Sequence, residues 1–168
     1  MTTRRIVLLG FMACGKTSVG AELARRLECG FVDLDSFIKD RERRSPAQII
    51  MEKGEHAFRD LETLTLSQVL QTQDAYVIAV GGGTWTIPAN RTIITLYDCR
   101  TLWLDTPFDT CWDRIASFPT ARPLAPNRAT ARKRFDERRE TYALAERRIQ
   151  VEPGDTVKRV VDKIFRET

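Results

Sequence analysis

The sequence predicts an α/β fold in which helices cover both faces of a five-stranded parallel β-sheet. Short apolar runs alternate with longer helical stretches along the 168 residues, a pattern typical of parallel sheets. A glycine-rich loop at 10–17 and a second glycine cluster at 81–83 each follow an apolar run. Because ligands bind at the carboxyl ends of parallel strands, both loops are expected on one rim of the sheet. The length suits a single domain spanning 1–168.

Each predicted strand is a short run of apolar residues, as expected where a strand is buried on both faces. The first run, RIVLL, directly precedes the glycine-rich loop. The third run, YVIAV, directly precedes the glycine cluster. The five predicted strands are 5–9, 31–35, 76–80, 101–104 and 149–151.

The helices are predicted from apolar spacing and from start and stop signals. From Lys16, apolar residues recur at helical spacing until Gly30 ends the stretch. Ser45 and Pro46 form a start signal, because serine caps a helix well and proline suits its first position. The segment 118–127 contains three prolines and is predicted to be a loop. The later helical stretches are 36–71 in two or three segments, one that starts at 105–107, 129–146 and 155–165.

Composition and charge exclude several classes of protein. Lysine and arginine exceed aspartate and glutamate only by 27 to 23, a mild excess that suits a pocket for anionic small molecules better than a nucleic-acid surface. The four cysteines lack C-x-x-C spacing and the chain has one histidine, which argues against a zinc site. The apolar stretch 6–13 is too short to span a membrane. We therefore predict a cytoplasmic monomer that binds neither nucleic acid nor membrane.

The loop GFMACGKT matches the pattern G-x-x-x-x-G-K-[ST] between a strand and a helix. Backbone N–H groups of such a loop form a concave anion site, and the following helix adds its positive N-terminal end. Lys16 can reach a transferring phosphate, and the Thr17 hydroxyl can ligate Mg²⁺. The alternative is a tight turn without a ligand, which the agreement of the motif and both flanks disfavours. Cys14 is interpreted as a small side chain filling the loop.

Four further blocks make the pattern more specific. FVDLDSFI, GEHAFRDLE, VIAVGGGT and RPL follow the glycine-rich loop in that order. Together the blocks resemble the shikimate kinase family over about 4–165. The resemblance implies a three-layer P-loop kinase fold that uses ATP and Mg²⁺ to phosphorylate the 3-hydroxyl of shikimate in aromatic amino-acid biosynthesis.

The resemblance also assigns the nucleotide and metal sites. The implied nucleotide-binding residues are Ala13, Cys14, Gly15, Lys16, Thr17, Ser18, Arg114, Arg122 and Pro153. Arg114 and Pro153 are implied to flank adenine, and Thr17 and Asp33 to hold Mg²⁺. Lys16 and Arg122 are implied to be catalytic, Arg122 as the arginine of a lid over about 114–126 that closes over ATP.

The shikimate site is implied to include a helical region over about 34–60. Asp35 is implied to hold the hydroxyls and to act as the catalytic base. The implied shikimate-binding residues are Asp35, Arg59, Gly81, Gly82, Gly83 and Arg138, with the two arginines on the carboxylate and the glycine loop, chiefly Gly81 and Gly82, against shikimate.

Alternatives stay open for some of these residues. Asp35 could cap a helix, since aspartate is common there. Arg59 could form an exposed helical pair with Glu62 three residues on. Arg139 adjoins Arg138 and could take its place on the carboxylate.

The chain departs from the family pattern at Ala13, where the family usually has glycine, and a methyl group there costs little unless the residue needs a positive φ. For the whole protein, the rivals are a kinase for another small polyol acid such as gluconate, and a non-catalytic nucleotide-binding module. A third rival is a nucleic-acid-binding role for the basic helix.

Overall fold

The computed structural model describes residues 4–72, 75–118 and 123–167. Within those ranges, five parallel strands form one sheet in the order β2-β3-β1-β4-β5. The strands are β1 Ile6–Leu9, β2 Phe31–Asp33, β3 Val77–Ala79, β4 Arg100–Asp105 and β5 Arg147–Gln150. The predicted five-stranded parallel α/β fold is therefore confirmed.

Seven α-helices are described in the same ranges, together with one short 3-10 helix at Thr84–Thr86. The helices are α1 Lys16–Arg26, α2 Leu34–Glu42, α3 Pro46–Thr72, α4 Pro88–Leu96, α5 Phe108–Ser117, α6 Arg128–Tyr142 and α7 Val157–Glu167. Helix α3 is broken at Gly54, whose φ of 88° and ψ of 165° lie far from helical values. None of the helices in the described ranges is long and apolar enough to cross a membrane.

The centre of the sheet explains where the site lies. All residues of β1 and β3 are buried, which is why both strands read as continuous apolar runs. Leu8 of β1 pairs with Ala79 of β3 on one side and Leu102 of β4 on the other. The loops that follow β1 and β3 therefore leave the sheet side by side, which brings the two glycine-rich segments together.

Several boundaries differ from the sequence prediction, and those of β2, β4 and α6 have a clear cause. Strand β2 ends at Asp33, because the Asp33 side chain accepts a hydrogen bond from the Ser36 N–H at 2.9 Å and caps α2. Asp33, and not Asp35, is thus the capping residue. Strand β4 continues to Asp105, which was predicted to begin the next helix. Helix α6 ends at Tyr142, four residues before the predicted end, since the chain must already turn back to enter β5.

The 3-10 helix and α4 were not predicted at all. Pro88 occupies the first turn of α4, a position that suits proline. The preceding residue, Ile87, carries no capping side chain, so the usual polar start signal is missing. These two elements connect the glycine cluster to β4 along the chain, and the N–H groups of Thr84 and Thr86 donate hydrogen bonds to the carbonyl oxygens of Gly81 and Gly83.

Candidate active site

The loop between β1 and α1 is the predicted phosphate site. Gly10 and Gly15 adopt positive φ angles of 144° and 105°. A Cβ atom on Gly10 would lie only 2.8 Å from the Leu104 carbonyl oxygen, so no larger residue fits there. The start of the loop therefore packs directly against the end of β4.

Ala13 also adopts a left-handed conformation, with φ at 59°. At a positive φ the methyl group of Ala13 is costly, because alanine is strained in this conformation and glycine is not. Its carbonyl oxygen accepts a hydrogen bond from Arg114 Nη1 at 3.0 Å, which helps to hold the strained residue in place.

Lys16 is buried within the loop. Its ammonium donates hydrogen bonds to the carbonyl oxygens of Gly10 at 2.9 Å and Phe11 at 2.8 Å. The Cys14 sulfur lies 3.5 Å from the same nitrogen and is itself buried. Cys14 thus packs inside the loop, in line with its interpretation as a small space-filling residue.

A cavity of about 570 Å³ opens in front of this loop. All six loop residues predicted to bind nucleotide line it, and Arg114 lies on its wall. The wall also includes Phe118, Val151, Asp155, Val157 and Val160. Pro153 lies in an exposed turn and does not line the cavity, although its neighbours Val151 and Asp155 do. Arg122 lies outside the described residues.

Thr17 and Asp33 meet at the edge of the cavity. The Thr17 hydroxyl donates a hydrogen bond to Asp33 Oδ2 at 2.5 Å, while Oδ1 of the same carboxylate caps α2. Two oxygen ligands held this close suit Mg²⁺, which prefers oxygen and keeps several of its water molecules. No cluster of three or more metal-binding side chains occurs among the described residues, so phosphate oxygens and water would have to complete the coordination.

A second, smaller cavity of about 120 Å³ adjoins the first. The two share Met12, Asp35, Gly81 and Gly82 in their walls. The second cavity is also lined by Arg59, Glu62, Gly83 and Arg138, together with apolar residues of α3. Every residue predicted to bind shikimate therefore lines it, and Asp35 lies where the two cavities meet.

The half-buried Arg59 and the buried Glu62 form a pair on α3. The Glu62 side chain has no solvent exposure, and Arg59 donates a hydrogen bond to its Oε2 atom. Arg59 also donates to Glu55 Oε1 at 3.1 Å. The alternative of an exposed helical pair is thus wrong, because α3 turns this face toward the glycine cluster.

Each glycine of the 81–83 cluster allows a close approach that a side chain would block. A Cβ on Gly83 would lie 2.4 Å from the Arg59 guanidinium. One on Gly81 would lie 2.5 Å from Glu62 Oε1 and 3.2 Å from Asp35 Oδ1. The sequence signal of three glycines therefore reflects the packing of charged side chains directly on the backbone.

The Asp35 carboxylate lies in the site with one oxygen that lacks a hydrogen-bond partner in the described part of the chain. Its Oδ1 atom is buried and has no hydrogen-bond partner among the described residues. Burial raises the pKa of Asp35 from 3.8 to about 6, the negative charges of Glu62 and Asp33 add to the rise, and Lys16 and Arg59 oppose it. A buried acceptor without a partner, facing both cavities, is what a group that receives a ligand hydroxyl requires.

The two neighbouring arginines of α6 have different surroundings. Arg138 is buried, at 8% exposure, and lines the second cavity. Arg139 instead donates to both carboxylate oxygens of Asp105, at 2.7 and 3.2 Å. One turn beyond Arg138, the Tyr142 hydroxyl donates to the Gly82 carbonyl oxygen at 2.5 Å and ties the helix to the glycine cluster. Of the pair, Arg138 is the one placed to meet a ligand.

Sequence reasoning missed Thr84, which lies beneath this site and donates a hydrogen bond to Glu62 Oε1 at 2.6 Å. It also missed the distal wall of the large cavity, including Phe118 and Val157. Thr84 closes the block VIAVGGGT, but its hydroxyl gave no sequence signal of a role, because its contact with Glu62 joins residues distant in the chain.

The parallel sheet, the phosphate loop after β1 and the adjoining arginine-lined cavity together define a kinase of the P-loop class. The model of the family "Shikimate kinase" matches residues 12–168. The chain therefore belongs to the shikimate kinase family.

Curated relatives agree over nearly the full length. The chain is 35% identical over 162 residues to the shikimate kinase of Persephonella marina, covering 96% of this chain and 97% of the relative. It is 34% identical over 169 residues to that of Sulfurihydrogenibium, covering 97% and 99%.

Solved structures agree as well. The shikimate kinase from Acinetobacter baumannii in complex with shikimate superposes with a TM-score of 0.88 at 29% identity, covering 99% of this chain and 93% of that one. The enzyme from Bacteroides thetaiotaomicron gives 0.86 at 26% identity, covering 98% and 97%. A gluconokinase from Sinorhizobium meliloti, at 0.64 and 15% identity with 95% and 88% covered, shares the fold alone.

Proposed function

We propose that the protein transfers the γ-phosphoryl group of ATP to the 3-hydroxyl of shikimate. The observation that carries the proposal is the meeting of the two cavities at Asp35. The phosphate loop lines one cavity, and the buried Arg138 and the half-buried Arg59 line the other. A donor phosphate and an acceptor hydroxyl bound in these cavities would be neighbours, and such positioning accounts for much of phosphoryl-transfer catalysis.

The second cavity suits an acceptor that has a carboxylate at one end and hydroxyls at the other, as shikimate does. Arg59 and Arg138 line it and can each bind a carboxylate through two parallel hydrogen bonds. The glycine cluster leaves room for a ring against the backbone. Asp35 then accepts the hydrogen bond of the reacting hydroxyl and, at its Oδ1 atom, can take the proton.

ATP is proposed to fill the large cavity with its phosphates on the loop. Lys16 and the loop N–H groups would bind phosphate oxygens, and Arg114 and Phe118 line the part of the cavity left for the base. Thr17 and Asp33 would hold Mg²⁺, which when bound neutralises charge on the phosphates. Arg122 stays the proposed lid arginine. The cytoplasmic location and the monomeric state remain predictions.

The test is a coupled assay of ADP release with shikimate as acceptor. We expect release that depends on both ATP and shikimate, with little release in the presence of gluconate, whose flexible chain does not match the rigid spacing between arginines and Asp35. Folded protein that binds ATP but releases no ADP on addition of shikimate would overturn the proposal. Activity with gluconate alone would favour the rival polyol-acid kinase.

A further inference from the structure

We infer that Thr84 is a positioning residue of the acceptor site: its hydroxyl fixes the Glu62 carboxylate in the orientation that holds Arg59 toward the cavity. Thr84 itself does not line the cavity, so it acts through Glu62 and Arg59. The inference rests on the proposed function, because the acceptor carboxylate is the group that Arg59 is proposed to bind.

The bonds to Glu62 divide its two oxygens between two partners. Oε1 accepts from the Thr84 hydroxyl at 2.6 Å, and Oε2 accepts from Arg59. Glu62 and Thr84 are both fully buried, so water does not compete for either oxygen. A carboxylate held at both oxygens has one orientation, and the guanidinium bonded to it takes its own orientation from the carboxylate.

Thr84 is held firmly enough to serve this role. Its N–H donates to the Gly81 carbonyl oxygen at 3.1 Å. Its own carbonyl oxygen accepts from the buried Asn90 side chain of α4 at 2.9 Å. The hydroxyl is therefore positioned by the glycine turn on one side and by α4, which the sequence did not connect with the site, on the other.

Glu62 is tightly surrounded, so a change in the orientation of its carboxylate also moves its neighbours. The backbone of Gly81 packs against Glu62 Oε1, and the Asp35 carboxylate borders the same point. If the Thr84 hydroxyl is removed, Oε1 is left as a buried acceptor without a donor. Glu62 relieves this by rotating, and any rotation displaces the Arg59 guanidinium that bonds its other oxygen.

The experiment compares Thr84→Val with Thr65→Val by steady-state kinetics. Thr65 is a matched control because it is equally buried, lies one turn after Glu62 on α3, and has a hydroxyl without a partner among the described residues. For Thr84→Val we expect the KM for shikimate to rise about tenfold, the equivalent of one lost hydrogen bond. The KM for ATP is expected to change less than about twofold, and Thr65→Val is expected to change neither KM.

A second variant separates the effect of losing the Thr84 hydroxyl from the effect of changed packing. Thr84→Ser retains the hydroxyl and is expected to keep the KM for shikimate within about twofold of the unsubstituted protein. If Thr84→Val does not fold, Thr84→Cys, whose thiol is a weaker donor, is expected to raise the same KM by a smaller factor.

Two results would overturn the inference alone: an unchanged KM for shikimate in Thr84→Val, or an equal rise in Thr84→Ser. A different result overturns the proposed function and the inference with it, namely no shikimate-dependent ADP release from the unsubstituted protein. The unsubstituted protein is assayed first, so the two failures are distinguished before any variant is measured.

Discussion

Ala13 is an alanine at a loop position whose backbone conformation favours glycine. It takes a left-handed conformation at φ 59° within the phosphate loop, where a Cβ atom is unfavourable by roughly 1–2 kcal/mol. Its methyl group packs partly against the core, which offsets some of that cost. The sequence alone showed the departure from glycine but could not show the φ angle, because backbone conformation in a loop depends on the contacts around it.

We predict that Ala13→Gly raises the free energy of unfolding by about 0.5–1 kcal/mol, because glycine relieves the strain. Urea unfolding measures the change. The matched control is Ala24→Gly in the buried face of α1, where glycine should lower the free energy of unfolding by about 1 kcal/mol or more. Equal losses in the two variants would show that Ala13 is not strained.

Asp35 is a residue at which the proposed function opposes stability. Its pKa is raised from 3.8 to about 6 in the folded protein, so folding disfavours the ionised carboxylate. The contribution of Asp35 to stability is thus fully present below pH 3.8 and is lost as the pH rises through about 6. At neutral pH the buried charge lowers the free energy of unfolding by about 1–3 kcal/mol.

We therefore predict that Asp35→Asn unfolds at higher urea concentration than the unsubstituted protein at pH 7, while shikimate-dependent activity falls by about 10²-fold or more. The gain in stability should shrink as the pH is lowered from 7 toward 4. Asp60→Asn serves as the control, since Asp60 is an exposed residue and should show neither effect. A loss of stability in Asp35→Asn at pH 7 would contradict the assigned environment.

At the scale of elements, Asp105 joins the end of β4 to α6 and β5. The buried carboxylate accepts hydrogen bonds from Arg139 at 2.7 and 3.2 Å and from Arg148 Nε at 2.7 Å. Both guanidinium groups also lie over the Trp103 ring, 5.1 and 5.2 Å from its centroid. This contact fixes the rotation of α6 and so keeps Arg138 directed toward the cavity.

We predict that Asp105→Asn lowers the free energy of unfolding by about 1–3 kcal/mol. The loss is smaller than for a fully buried ion pair, because both arginines are partly exposed to solvent. Asp105→Asn should also raise the KM for shikimate more than the KM for ATP, because Arg138 loses its support. Urea unfolding and steady-state kinetics measure the two effects. Asp109→Asn removes a solvent-exposed pair with Arg128 and should change stability by less than about 0.5 kcal/mol. If Asp109→Asn proves as costly as Asp105→Asn, burial of the Asp105 network is not what matters.

Elements were predictable where one physical signal dominated. Strands β1 and β3 are buried on both faces, so their apolar runs identified them. Helix α4 was missed because its cap, Ile87, is not polar and its start signal is a lone proline. The end of β2 was misplaced because alternating Asp33 and Asp35 fit a strand, whereas the cap that Asp33 forms with Ser36 begins the helix at Leu34, two residues earlier than predicted.

At the scale of the whole molecule, the order β2-β3-β1-β4-β5 creates the site. It sets β1 beside β3, so the phosphate loop and the glycine cluster share one rim. The ordered sequence blocks predicted which segments meet, because each carries its own chemistry. They could not predict the supporting contacts of Thr84 or Asp105, since those residues act through neighbours that are distant in sequence.

The most direct test of the central claim is ³¹P NMR of the product formed from ATP and shikimate. A shared boundary at Asp35 between the two cavities predicts one new phosphomonoester resonance, coupled to the proton at ring carbon 3, in equal amount to the ADP formed. ADP accompanied only by inorganic phosphate, or a phosphoester at another hydroxyl, would contradict the claim that Asp35 presents the 3-hydroxyl to the phosphate loop.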